Sequence, residues 1–299
     1  MNEGKVSMTW GGRRISLEGK ASIRNLKDPR MQKERKILIA LQGPRSRQML
    51  SQAAGKDGVR LSRMRKFEIG GFSIDGIECF VSRTGYTGEE FGYEIFVHPA
   101  KAAAVWKLLV GLGAKPAGLG ARDSTRTEAG LPLWGNELAG PDSINPIETG
   151  YGGFVKLHKP FFIGRRVLME KGYDTGKEVV RFRMNEKGVR VPKTGDPVVN
   201  KRGKYVGAVT SCAIDSQGYL LGLAYVDKRY NREGEQIGIF SLPEKVPPGK
   251  TMDELTPGDQ VLLHDEATVL TRFPTPEDKE TWRGKSARVT TFMDLAQTE

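Results

Sequence analysis

The sequence predicts an α+β protein: mixed α/β domains up to about residue 177, followed by a C-terminal all-β, barrel-like domain over 178–275. Three observations carry that reading. Strand-like and amphipathic helix-like segments alternate before residue 135, whereas short β-rich runs separated by glycine turns replace them from Glu178 onward. The chain is also long enough, with 299 residues, 38% of them hydrophobic and 28% charged, to bury more than one core, taking about 150 residues per domain.

Residues 5–24 alternate polar and apolar around Gly11-Gly12 and read as a hairpin. Lys36 to Ala40 is strand-like, Gly43-Pro44 marks a turn, and the spacing of Met49, Leu50 and Ala53 predicts a helix over 45–54. Phe67 to Ser82 reads as a hairpin with Asp75-Gly76 as the turn pair, and Tyr93 to Val97 as a further strand. Pro99 opens a helix over 100–111, and 121–129 form a second, polar one. Strands are then expected at Val179–Met184, Tyr205–Ser211, Leu220–Val226, Gln236–Phe240 and Gln260–His264. The resulting partition is 1–39 as a partial β segment, 40–135 as an α+β domain, 136–177 as a connecting segment of the second domain, 178–275 as the barrel and 276–299 as a polar tail.

Several function classes are excluded on composition. Apolar runs such as Ile37–Leu41 fall far short of the ~20 residues of a spanning helix, and Met1 to Arg14 contain no apolar signal core, so no membrane segment and a cytoplasmic location are expected. Cys79 and Cys212 are too isolated for a disulfide framework, and His98, His158 and His264 show no metal-ligand spacing. Ser124 and Ser211 lack a G-x-S-x-G context. With 47 basic and 36 acidic side chains the net charge is +11, which favours polyanions, acidic proteins or carboxylate-rich ligands. Basic runs such as Arg60 to Lys66 are broken by Leu61 and Met64 and read as a solvated face, so no nucleic-acid partner is expected.

Two constellations could carry chemistry. The segment from Ser82 to Phe96 places a glycine-rich loop between two strands, with Glu94 among Tyr93, Ile95 and Phe96. Glu94 is either a strand-edge residue facing solvent or the acceptor for a flat heterocycle with a guanidine-like edge, with Tyr86 and Tyr93 as aromatic walls. In the second, Arg122 and Arg126 stand four apart and share a helix face suited to carboxylates or phosphates, or else pair with Asp123 and Glu128 in a solvated helix. Gly118-Leu-Gly120 lacks the third glycine of a dinucleotide fingerprint.

The ordered set Ala40-Leu-Gln-Gly-Pro44, Arg83-Thr-Gly-Tyr-Thr-Gly-Glu89, Tyr93-Glu-Ile95 and Gly120-Ala-Arg-Asp-Ser124 resembles the glycine cleavage T-proteins. Asn145-Pro-Ile-Glu-Thr149, Phe154-Val-Lys-Leu157, Val209-Thr-Ser211 and Gly222-Leu-Ala-Tyr-Val226 continue the pattern, so the likeness runs from about residue 36 to about 275. The resemblance implies a tetrahydrofolate-dependent aminomethyltransferase, or a relative that demethylates a small molecule onto the same carrier. It makes 40–135 the folate-binding domain, maps the pterin carboxylate to Glu94 and a folate-contacting arginine to Arg122, and gives Tyr86 and Tyr93 lining roles. The implied partners are a small-molecule or lipoyl-carrier-bound one-carbon donor.

Three departures accompany it. Only 39 residues precede Ala40, where the family carries roughly a hundred, including a Leu-Asp-Asp-like stretch with the catalytic aspartate; no residue here takes that aspartate's place. A second chain supplies the missing half, or the gene is split or truncated, or the protein is a folate-binding subunit without turnover on its own. Gly153 stands where T-proteins usually place tryptophan. The Lys-Gly-Cys signature of the iron-sulfur maintenance branch is replaced by Lys159-Pro-Phe-Phe-Ile-Gly164.

Overall fold

The computed structural model describes residues 6–10, 13–17, 24–171, 176–240 and 265–280. They form an α+β protein with two compact units. One runs to Gly85 and includes Glu89–Pro116; the other comprises Tyr86–Gly88 and everything from Ala117 onward. The helix expected over 121–129 thus groups with the barrel, where the sequence reading set it with residues 40–135.

In the first unit, β1 (Val6–Trp10) and β2 (Arg13–Leu17) pair as the expected antiparallel hairpin. Strands β3 (Ile37–Gln42), β4 (Ile69–Ile74), β5 (Ile77–Ser82) and β6 (Gly92–Val97) form a four-stranded antiparallel sheet in the order β3-β6-β5-β4. Asp75 and Gly76 both have positive φ (50° and 76°), the conformation that matches a two-residue turn to the twist of its strands. Helices α1 (Ser46–Ala53), α2 (Gly58–Ser62) and α3 (Pro99–Gly111) complete the unit. The side chain of His98 caps α3 by accepting from the Ala100 N–H, and Pro99 occupies the first turn, where no N–H partner is needed.

Strand alternation gives the sheet two unlike faces. Ile39, Leu41, Ile74, Val81, Tyr93, Ile95 and Val97 are buried with Leu50, Leu61, Val105 and Leu109 of the helices. On the opposite face the register aligns Ala40, Glu94, Ser82 and Ile69 in one row and Leu38, Phe96, Phe80 and Gly71 in the next. There Leu38, Phe80 and Ile69 remain 45%, 51% and 62% exposed.

The second unit begins with α4 (Leu119–Glu128), continues through irregular turns and α5 (Arg165–Lys171), and ends in the barrel. Strands β7 (Lys177–Met184), β8 (Pro197–Asn200), β9 (Tyr205–Ile214), β10 (Leu220–Asp227), β11 (Gln236–Ile239) and β12 (Asp265–Leu270) close in the order β10-β7-β12-β11-β8-β9, all antiparallel. Its interior is filled by Val180, Phe182, Met184, Val198, Val209, Val226, Ile239 and Val269. Register shifts at Leu223/Ala224 and Val198/Val199 bend the strands at the corners.

The short strand β8, opened by Pro197, went unread in the sequence, as did α2 and α5; a Pro at the first position of a strand masks the signal. The strand expected at Gln260–His264 lies outside the described residues, and β12 begins at Asp265. Of the polar tail, 276–280 are described, and Asp278 pairs with Arg181 at 3.3 Å. Cys79 and Cys212 are free, and burial pushes their thiols up to about 11 and about 12.

Gly207 in β9 allows the closest backbone approach in the barrel: a Cβ there would lie 2.1 Å from the Tyr225 carbonyl oxygen and 2.7 Å from Val226 Cα. Since backbone cannot step aside as a side chain does, Gly207→Ala is expected to destabilise the protein by about 1–3 kcal/mol in urea denaturation. Gly71→Ala, which would meet nothing within 4 Å, is the control and should change little.

Candidate functional site

Glu94 sits on the central strand β6, paired to Ala40 of β3 and Ser82 of β5, and its half-buried side chain belongs to the open face. The hydroxyl of Thr84, two residues beyond the end of β5, donates to Glu94 Oε2, and Ser82 Oγ lies 2.7 Å from the same hydroxyl. Among the described residues Glu94 Oε1 accepts nothing. The result is an acceptor-only group, anchored on one side and open on the other, bordered by the apolar side chains of its own sheet face.

Tyr93 does not join it. Its side chain is fully buried in the core cluster, on the face opposite Glu94, because successive strand residues point to opposite sides. Burial raises the Tyr93 phenol, opposed by the nearby charges of Arg83 and Arg47. The expectation that Tyr93 walls the Glu94 site is therefore corrected. Tyr86 belongs to the other unit. Its hydroxyl donates to the Pro132 carbonyl, and burial pushes it up to about 12.

Arg122 and Arg126, expected on one ligand-facing stripe, have different fates. Only the C-terminal part of α4 is covered, at Arg126 and Thr127. Arg122 is exposed, and its guanidinium pairs with no carboxylate among the described residues. Arg126 is 1% exposed and its donors are taken up internally: Nε by Asp123 at 2.7 Å, one terminal nitrogen by Glu137 at 2.9 Å, the other by Ser211 at 2.7 Å. Glu137, fully buried, also accepts from Leu133 N at 2.8 Å and Thr210 Oγ1 at 2.7 Å. Arg126 thus serves the architecture, closer to the salt-bridged alternative than to ligand binding. Neither Glu137 nor Thr84 stood out in the sequence; a glutamate inside the Trp134–Leu138 turn was the one visible hint.

No group of three or more His, Cys, Asp or Glu side chains among the described residues could hold a metal ion. No described helix is long and apolar enough to cross a membrane.

The fold and site together define a two-unit α+β protein, a helix-backed antiparallel sheet with a carboxylate on its open face and a closed antiparallel barrel. Residues 20–159 match the family model described as GCVT N-terminal domain. An aminomethyltransferase of Alkaliphilus metalliredigens is 37% identical over 222 residues, covering 70% of this chain and 56% of the relative. One from Rubrobacter xylanophilus is 42% identical over 192 residues, covering 63% and 49%. The crystal structure of glycine cleavage system aminomethyltransferase T from Bartonella henselae matches with a TM-score of 0.61 at 26% identity, over 79% of this chain and 59% of that one. The chain is similar to the glycine cleavage T-proteins, and it spans about half the length of the curated relatives it matches.

Proposed function

We propose that the protein binds tetrahydrofolate and serves cytoplasmic one-carbon transfer of the glycine cleavage type, as an aminomethyltransferase. The observation that carries this reading is Glu94, an anchored carboxylate with a free oxygen on an open sheet face. A pterin edge presents adjacent N–H donors, and a carboxylate accepts such a pair as it accepts the two N–H groups of a guanidinium. The residues present therefore fit the group. When bound, tetrahydrofolate supplies the amine that accepts the one-carbon unit. The task of Glu94 is to bind and orient that ring, so that positioning lowers the barrier to transfer. Arg122 and Tyr86 are proposed as further folate-contacting residues on the family pattern.

The excess of positive charge supports an acidic lipoyl-bearing carrier as donor partner. The uncovered apolar row beside Glu94 supports a second polypeptide packed against this face. A second reading, folate-dependent demethylation of a methylated small molecule, is favoured by Gly153, which stands where T-proteins usually place tryptophan.

Calorimetric titration of tetrahydrofolate into the full chain, alone and with the polypeptide that copurifies with it, tests the proposal. Saturable one-to-one binding is expected in at least one setting. Absence of heat in both would overturn the folate reading.

A further inference from the structure

The Glu94 carboxylate is held by a short relay whose direction chemistry dictates. Thr84 has one hydroxyl proton, and an ionised carboxylate has none to give, so Thr84 donates to Glu94 Oε2. With its proton spent, Thr84 Oγ1 can only accept from Ser82 Oγ, 2.7 Å away. The backbone of Thr84 is fixed in turn by Gln42. Its amide nitrogen donates to the Thr84 carbonyl at 3.2 Å and to the carbonyl of Tyr93, the residue before Glu94, at 3.3 Å. That amide lies between two glycines: a Cβ on Gly85 or Gly92 would come within 2.0 Å of Gln42 Oε1. A side chain at either position would have to displace the Gln42 amide, which ties β3, the loop after β5 and β6 together at one point.

The terminal torsion of a glutamate is broad and roughly two-fold, so an unanchored carboxylate samples many planes. We infer that Thr84 is a positioning residue for ligand recognition: its hydroxyl, supplied by Ser82 and placed by Gln42, occupies one lone pair of Glu94 Oε2 and fixes the carboxylate plane, leaving the remaining fork aimed at the N–H edge of the heterocycle. The inference rests on the proposed folate contact of Glu94.

The test is titration of the full chain, with its copurifying polypeptide where binding needs it, using tetrahydrofolate and an analogue whose 2-amino group is replaced by methyl. Thr84→Val should weaken tetrahydrofolate binding about tenfold, the loss expected for a hydrogen bond to a charged group. It should leave the analogue's affinity nearly unchanged, so that discrimination between the two shrinks. Thr84→Ser, which keeps the donor, should restore binding to within about twofold of the parent, a residual loss of well under one hydrogen bond. Ser82→Ala, which leaves Thr84 in place, should shrink discrimination in the same direction by a smaller factor, and covers the case in which Thr84→Val does not fold. Thermal unfolding checks each variant. Equal weakening of both ligands by Thr84→Val, or none, overturns the inference while Glu94→Gln still abolishes binding. Parent-like binding by Glu94→Gln overturns the folate contact itself and this inference with it.

Discussion

Replacing Glu94 by Gln is expected to weaken tetrahydrofolate binding at least 100-fold while leaving the chain folded. Two charge-assisted hydrogen bonds at about 1.5–3 kcal/mol each are lost or weakened, and each 1.4 kcal/mol is about tenfold in affinity. The amide adds a second penalty: its NH₂ is a donor placed against the donors of the ring edge. The fold should be insensitive, because Glu94 is half-buried on the open face and the amide oxygen can still accept from Thr84. Calorimetry reads the affinity and urea denaturation the stability. Unchanged affinity would remove Glu94 from the binding site, and a large drop in stability would make it a structural residue instead.

The largest stability effect is expected at Glu137. Removing its carboxylate with Glu137→Ala leaves the Arg126 guanidinium, 1% exposed, with only Asp123 to offset its charge, and strands the donors of Leu133 and Ser211. Breaking a buried pair in this way costs about 3–5 kcal/mol, because the remaining charge stays desolvated. Taking out both partners together, as Arg126→Met with Glu137→Leu, should cost less than Glu137→Ala alone, since no buried charge is left behind. Urea denaturation of the full chain compares the three proteins. A loss below about 1 kcal/mol for Glu137→Ala, the range of an exposed pair, would show that Arg126 is solvated or re-paired and that the network does not hold α4 against β9.

Most elements were legible because their signals are local. The turn pair Asp75-Gly76, the proline opening α3 and the alternating runs of the barrel each announce themselves within a few residues. Elements that escaped were those with weak local signals: β8 is four residues long and begins at a proline, and α2 is five residues long. The position of Glu94 on a strand beside a glycine-rich loop was readable. The anchor at Thr84 was not, because a threonine hydroxyl carries no pattern until two strands bring it to a carboxylate ten residues away.

By itself the sequence determined the order of elements, the change of texture near residue 178, the family motifs and the place of Glu94 on a strand. Tertiary structure alone decided which side of each element is covered. A period-two pattern says that Tyr93 and Glu94 point apart, but only the packing of α1 and α3 onto one face of the sheet buries the tyrosine and leaves the glutamate on the open side. Likewise Arg122 and Arg126 share a helical stripe, yet Arg126 is buried by Glu137 and by Ser211, which lies 85 residues further along the chain. Burial follows from contacts between distant segments, and periodicity within one segment cannot register them.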